Sequence, residues 1–269
     1  GSGVALAAGP EPFFRPFAAG PSPILEELTG QHGTVGAAAE RVFTLGPAAL
    51  HARVGAAADD RDGQVLRFDG SYAALYAGVW EASFGLRPRI WGPSRATAGI
   101  LSRAARPFPT AALHRTRAPL PWPGWDRLGR FEAEAFLGQL EENRTVPNTL
   151  VLGLRTVLEP LPGLEIGLVR TAQWGGDGRP QDWTAFRRTL LGGSNTGDDF
   201  GRDEDPANQL AGYDLSIAVP RVPLRLYGQV VGEDEASALP GKLMYLAGVE
   251  FSPRFGERQH RLPFEYIDT

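Results

Sequence analysis

Cysteine is absent from the 269-residue sequence, and lysine and methionine occur once each. Without cysteine, the chain has no disulfides, no thiol chemistry and no cysteine metal ligands, which fits an oxidising compartment without requiring one. No run of apolar residues approaches the roughly eighteen that a membrane-spanning helix needs. The formal charge of −4 comes without a block of like charges, so neither a nucleic-acid-binding arm nor a polybasic membrane patch is indicated.

What is present is an alternation of apolar and other residues, and it is clearest between Pro147 and Trp183. Two arms meet there at the corner Pro160-Leu161-Pro162-Gly163. The first arm reads LVLGLRTVLE at 150–159, and the second reads LEIGLVRTAQ at 164–173. A period of two predicts β-strands. Both arms are longer than the usual five or six residues of a soluble sheet and are closer to a tilted strand that crosses a membrane.

The same alternation continues from Thr34 to Asp268 and predicts about twelve strands in the sequence. Short corners alternate with longer polar loops, which is typical of an outer-membrane barrel with short turns at one rim and long loops at the other. The predicted fold class is therefore an all-β, antiparallel, up-and-down transmembrane β-barrel. We assign residues 34–269 to this barrel domain and residues 1–33 to an irregular entry segment with one short helix candidate, ILEEL at 24–28.

Three local features interrupt the strand pattern. The break at Trp91 predicts a long irregular loop that runs to Pro109. The alternation slips after Phe136, which predicts a β-bulge there. In QDWTAFRRTLL at 181–191, aromatic and apolar residues recur at helical spacing, so we predict one short helix inside a long loop.

Charged residues recur on one parity of the strands, which indicates a polar barrel interior whose charges need water or partners. The residues predicted to form this lumen charge network are Glu81, Arg87, Glu132, Glu134, Arg155, Glu165 and Arg225. Glu132 and Glu134 are also a same-face carboxylate pair of the kind that glycosidases use. Because Arg155 and Arg170 are available as partners, we interpret the pair as structural ion pairs. The four histidines form no catalytic motif, so no enzyme is predicted.

Several segments resemble the Wzi-type capsule assembly family of Gram-negative outer-membrane proteins. The matching segments are LRFDGSYAAL at 66–75, WGP at 91–93, ARPFP at 105–109, FLGQLEENR at 136–144, LEIGLVRTAQWGGDGRPQ at 164–181, NQLAGYD at 208–214 and YGQVVGEDEASALPGK at 227–242. The resemblance covers the chain from about Thr34 to its C-terminus. It is specific because the order and the spacing of the segments agree as well as their letters.

The resemblance implies a monomeric outer-membrane β-barrel that acts as a lectin and holds capsular polysaccharide at the cell surface. It implies no catalysis, and nothing in the sequence calls for a cofactor. The family chain continues past the point that matches EYIDT and adds strands that close a barrel of roughly eighteen. We therefore expect a partial chain, with either an incomplete barrel or a smaller closed one.

The long polar loops carry the predicted carbohydrate-binding residues, because sugars are bound through stacked aromatic faces and bidentate polar contacts. These residues are Trp174, Asp177, Arg179, Gln181, Trp183, Asp203, Asn208, Gln209, Glu233, Asp234 and Glu235. An acidic glycan would also need local arginines such as Arg179 and Arg202. The acidic segments GEDEA and DFGRDEDP lack the spacing of an EF-hand loop, so no metal site is predicted.

Two other functions stay open at the level of the sequence. A charged lumen would also suit a passive pore for small solutes, and a soluble β-sandwich or hydrolase would need the leucine rows to face a second sheet. The predicted partners are therefore a capsular or other surface polysaccharide and outer-membrane lipid, with nucleic acid excluded.

Overall fold

The computed structural model describes residues 3–10, 33–58, 66–95, 97–102, 106–142, 144–191, 207–233 and 243–268. Within these ranges the chain forms sixteen strands and one α-helix, α1 (Trp183–Leu191). The strands are β1 (Gly3–Pro10), β2 (Gly33–Leu45), β3 (Ala48–Ala58), β4 (Leu66–Arg67), β5 (Tyr72–Ala77), β6 (Trp80–Gly85), β7 (Thr110–Pro119), β8 (Arg130–Gln139), β9 (Leu150–Leu161), β10 (Leu164–Trp174), β11 (Ala207–Ala218), β12 (Leu224–Glu233), β13 (Leu243–Phe251), β14 (Arg254–Phe255), β15 (Arg258–Gln259) and β16 (Leu262–Asp268).

The strands form one large antiparallel sheet in which each strand pairs with the next one along the chain. Its order is β1-β2-β3-β5-β6-β7-β8-β9-β10-β11-β12-β13-β16, with β4 beside β3 and a separate hairpin of β14 and β15. The predicted antiparallel meander is confirmed. Among the described residues, β1 pairs with β2 alone and β16 with β13 alone, so the sheet is not closed there.

The predicted alternation of connection lengths is confirmed only in part, because the connection 120–129 between β7 and β8 is as long as the connection 140–149 between β8 and β9. Two-residue turns join β2 to β3, β5 to β6 and β9 to β10, and each turn contains a glycine with positive φ, such as Gly163 at 86°. We call this edge the short rim. At the opposite edge, which we call the long rim, residues 86–109 join β6 to β7, residues 140–149 join β8 to β9 and residues 175–206 join β10 to β11.

The described residues of the segment 86–109, which we call the inner loop, lie against one face of the sheet and show that the sheet is curved. Trp91 Nε1 donates to Glu134 on β8 at 3.1 Å, and the Trp91 carbonyl accepts from Gln229 on β12 at 2.9 Å. In a flat sheet, strands four places apart would be about 19 Å from each other. One residue can contact both strands only because the sheet bends around it, so this face is the inner face.

The inner loop also explains a wrong prediction about β8. No bulge follows Phe136, because the register of β8 with β9 continues without a shift from Arg130 to Gln139. Phe136 stays on the inner face, where its ring packs against Trp91 and Phe108 at centroid distances of 5.1 and 5.9 Å. The sequence pattern breaks at Phe136 because an apolar residue occupies a position on the charged face, where the inner loop covers it.

The outer face carries exposed apolar side chains along most of its strands. Examples are Leu75, Phe84, Leu113, Leu137, Ile166, Leu168, Tyr213, Leu215, Val249 and Phe264. Among the described residues no second sheet packs on this face, which contradicts the sandwich alternative. No helix in the described part of the chain has the length and apolar character needed to cross a membrane.

The structure differs from the sequence prediction near the N-terminus. Gly3–Pro10, which we assigned to the irregular entry segment, forms β1 and pairs with β2. Its residues are small and alternate weakly, so the sequence carried little signal for a strand. The helix candidate at 24–28 lies outside the described residues.

Candidate functional site

An ion-pair network runs across the inner face of the sheet and begins on β6. Arg87 pairs with Glu81, and the other oxygen of this carboxylate lies 4.0 Å from Nδ1 of His114 on β7. The opposite ring nitrogen of His114 is 3.3 Å from Glu132 on β8. The histidine therefore connects two carboxylates from strands on either side of its own.

The network continues through Arg117, which the shift in register between Arg115 and Ala118 brings to the inner face. Its Nε lies 3.1 Å from Glu132, and its terminal nitrogen pairs with Glu165 on β10. Glu165 in turn lies 4.0 Å from Arg225 on β12. Charged groups from five strands or their flanking residues thus neutralise one another along a continuous path.

Two further pairs complete the inner face and correct the predicted partners of the glutamates. Glu134 accepts from Arg89 Nε at 2.7 Å, whereas Arg155 makes a bidentate pair with Asp214 at 2.8 and 3.2 Å. Arg170 binds neither glutamate, because its side chain points to the outer face. Arg155 lies directly opposite Glu134 in the register of β8 and β9, which is why the two were predicted to pair. Its long side chain instead reaches past β10 to Asp214 on β11.

All seven residues that the sequence assigned to the lumen lie on the inner face and are paired. Sequence reasoning missed several of their partners, which are Arg89, His114, Arg117 and Asp214. His114 and Asp214 share the inner parity of their strands and could have been found by that signal. Arg117 follows a register shift and Arg89 lies in a loop, so strand parity gave no indication of either.

The inner loop crosses the curved interior and is bound at its far side too. Arg225 donates to the Pro93 carbonyl at 2.6 Å. Ser94 donates to Glu265 on β16 at 2.5 Å, and Thr97 and Tyr227 donate to the same carboxylate. Together with the contacts of Trp91, these contacts extend from β8 to β16, so the loop spans the concave side of the described sheet.

A polar surface lies at the long rim where the loops 140–149 and 175–182 meet, and we call it the rim patch. Its members are Gln139, Asn148, Asp177, Arg179 and Gln181. Asn148 donates to both oxygens of Asp177 at 3.2 and 3.3 Å and accepts from Gln139 at 3.3 Å. These side chains are exposed or half-buried, in contrast to the paired charges of the inner face.

Close backbone packing holds the two loops of the rim patch together. The Asp177 amide donates to the Pro147 carbonyl at 2.9 Å, and the Arg179 amide donates to Gly176 at 3.1 Å. Gly176 has a φ of 100°, and a Cβ there would overlap the Pro147 carbonyl. Nearby, burial raises the pKa of Glu141, but a backbone hydrogen bond and Arg144 at 2.9 Å outweigh it, so the pKa lies below its ordinary value.

Helix α1 places the remaining described candidates on the outer side of the long rim. Trp174 is buried under the helix, with its ring 5.2 Å from that of Phe186. Gln209 is buried as well and accepts from Arg170. Trp183 begins the helix and is 72% exposed. The predicted helix is confirmed, with its start at Trp183.

The other predicted sugar-binding residues lie in or next to the connections 192–206 and 234–242. Asp203, Asp234 and Glu235 lie outside the described residues, as do Arg202 and most of the acidic segment GEDEA. Asn208 and Glu233 lie in β11 and β12. Within the described ranges, no group of three histidine, aspartate or glutamate side chains could hold a metal ion.

The chain is similar to known proteins both in sequence and in fold. The family model described as capsule assembly protein Wzi matches residues 28–269. An uncharacterized 55.8 kDa protein in the cps region of Klebsiella pneumoniae is 34% identical over 212 residues, which are 77% of this chain and 41% of that protein.

The solved structure of Wzi from Escherichia coli is similar in fold, with a TM-score of 0.75 and 24% identity. It is described as an outer membrane protein involved in group 1 capsule assembly and as a carbohydrate-binding β-barrel. The match covers all of this chain and 56% of that one. The chain thus spans about half the length of the proteins that it matches.

Proposed function

Because the chain belongs to the Wzi capsule assembly family, we propose that it is an outer-membrane β-barrel lectin that binds capsular polysaccharide and holds it at the cell surface. The exposed apolar side chains of the outer face suit contact with hydrocarbon, whereas the inner face carries the charges. In barrels of this kind the long loops face outward from the cell. The long rim is therefore the side that would meet a surface glycan.

One observation supports the rim patch as the binding surface. The charges of the inner face are paired with one another, whereas the side chains of the rim patch are accessible to solvent and to a glycan. Asp177 and Gln181 are exposed, and Arg179 is half-buried beside them. A carboxylate, a guanidinium and three amides offer the mixed donors and acceptors that sugar hydroxyls require. We propose that these groups contact the polysaccharide directly, while the buried Trp174 and Gln209 support the loop from below.

Two other functions find less support. As catalytic groups, Glu132 and Glu134 would need freedom to exchange protons, but Glu132 is bound by His114 and Arg117, and Glu134 by Arg89 and Trp91. A passive pore would need an open passage, but the inner loop occupies the curved interior. We therefore propose a non-enzymatic protein without pore activity.

The proposal is tested with the full chain in neutral detergent micelles. Asp177→Asn together with Arg179→Gln removes one negative and one positive charge from the rim patch. We expect this double variant to bind capsular polysaccharide at least tenfold more weakly, because charge-assisted hydrogen bonds are lost. Affinity is measured by biolayer interferometry against immobilised polysaccharide.

The matched control makes the same change of charge at the short rim, with Glu257→Gln and Arg258→Gln, and should bind like the wild type. Equal melting temperatures of both double variants would exclude unfolding as the cause. Unchanged affinity of the rim-patch variant would disprove the assignment of the binding surface.

A further inference from the structure

We infer that α1 is an interfacial helix whose exposed side binds the phosphate of a lipid headgroup in the outer leaflet. The inference rests on the proposed location in the outer membrane. It assigns Trp183 and Arg187 to a lipid surface that is separate from the rim patch.

Strand parity places α1 outside the barrel wall. Arg170 lies on the same face of β10 as Ile166 and Leu168, both of which are exposed apolar residues of the outer face. Its guanidinium donates to the carbonyls of Thr189 and Leu190 at 3.0 and 2.8 Å. The last turn of the helix is therefore fixed to the outer face of the sheet.

Both ends of α1 are capped, and these caps stabilise the short helix. The Asp182 side chain accepts from the Ala185 amide at 2.7 Å at the N-terminus, and Arg170 satisfies carbonyls at the C-terminus. A nine-residue helix is marginal in isolation. The contact of Phe186 with Trp174 supplies the packing that it needs.

The exposed side of the helix has the composition of a membrane-surface helix. Ala185 and Thr189 are buried against the sheet, whereas Trp183 and Arg187 are exposed and lie one turn apart on the same side. Tryptophan is enriched where a membrane meets water, and arginine matches the geometry of phosphate with two parallel hydrogen bonds. The helix sequence WTAFRRTLL contains no acid, and the adjacent Asp182 is bound to the Ala185 amide as the N-terminal cap.

The helix lies where the exposed apolar surface of the outer face begins. Arg170 pairs with Ala211, and two residues further along the strands, about 7 Å, Leu168 pairs with Tyr213. Tyr213 is 69% exposed and faces outward directly below the helix. Arg187 thus lies on the exposed side of a helix that is fixed to the outer face beside an apolar band, and headgroup phosphates lie at the edge of such a band in a bilayer.

The experiment measures binding of a fluorescent phosphatidic acid, which carries a phosphate monoester, to the full chain in neutral detergent micelles, with diacylglycerol as the lipid without phosphate. We expect Arg187→Gln to weaken binding of phosphatidic acid about tenfold, the factor of one charge-assisted contact, and Arg187→Lys to weaken it less. Trp183→Ala should weaken it severalfold. The matched control Arg258→Gln, at the short rim, should bind phosphatidic acid like the wild type.

Polysaccharide affinity is measured on the same samples, which separates this inference from the proposed function. If Arg187→Gln and Trp183→Ala bind phosphatidic acid like the wild type, the inference is overturned. Loss of polysaccharide affinity in Trp183→Ala with normal lipid binding would instead assign Trp183 to the glycan surface and also overturn it. A wild type that binds lipid in this manner but no polysaccharide would support the inference and disprove the lectin.

Discussion

At the scale of single residues, the pair of Arg155 and Asp214 is the most demanding contact of the inner face. The aspartate side chain is 3% exposed and the arginine 13%, so neither charge can turn to water if its partner is lost. Gly167 makes the pair possible, because a Cβ at that position would overlap the Asp214 carboxylate. A buried charge without its partner is far more costly than an apolar pair of similar volume.

We therefore predict that Asp214→Asn lowers the free energy of unfolding by roughly 3–5 kcal/mol, measured by urea unfolding from lipid vesicles. The double variant Arg155→Met with Asp214→Val should recover most of this loss, because no unpaired charge remains. If the single and double variants are equally destabilised, the cost comes from packing and the ion-pair explanation fails.

The sequence showed which side chains share a face of the sheet, but it did not show which of them form ion pairs with each other. Alternation alone assigned Glu132, Glu134 and Arg155 to the same face, since the pleat fixes which side chains share a side. The partner of a long side chain depends on curvature and on loops that return to the sheet, and these are set by contacts far apart in sequence. This is why Arg155 binds Asp214, 59 residues away, instead of the glutamate opposite to it.

At the scale of elements, the inner loop is the feature that the sequence described least well. Its length and irregularity were predicted, but its turn into the interior was not. The signal was present in Phe136, an apolar residue on a charged face, which we interpreted as a bulge. Gln229 shows how the loop is held: it is buried, accepts from the Gly99 amide at 2.8 Å and donates to the Trp91 carbonyl.

The position of the inner loop can be tested by cross-linking, because the chain has no cysteine of its own. A Cβ at Gly99 would lie 3.4 Å from the Cβ of Val231, close to the spacing of about 3.5–4.5 Å that a disulfide requires. We predict that Gly99→Cys with Val231→Cys forms a disulfide in the oxidising cell envelope, detected as a shift in mobility on a non-reducing gel. In the control, Gly99→Cys with Val230→Cys, the second thiol faces outward, so no intramolecular disulfide should form. Equal cross-linking of both pairs would contradict the ordered inner loop.

At the scale of the whole molecule, the order of the sheet followed from the sequence because each strand pairs with its neighbour along the chain. The tight turn at Gly163 and the alternation on each side of it are short-range signals that need no knowledge of the rest of the fold. β1 was missed because small residues carry little alternation. The predicted barrel implied a curved sheet, but the contacts of Trp91 with two strands that are four places apart in the sheet were not predictable.

The whole arrangement depends on hydrocarbon outside the sheet, and this is tested with two residues of similar exposure. Leu215 on the outer face of β11 is 45% exposed, and Val222 in a short-rim turn is 49% exposed. In lipid vesicles we predict that Leu215→Arg lowers the free energy of unfolding by roughly 2–4 kcal/mol, because a charge inside the apolar band is costly, whereas Val222→Arg in the turn changes it by less than about 1 kcal/mol. Urea unfolding with tryptophan fluorescence measures both. A water-facing sheet would tolerate arginine at either position, so two equally small effects would place the outer face in water and remove the physical basis for a membrane barrel.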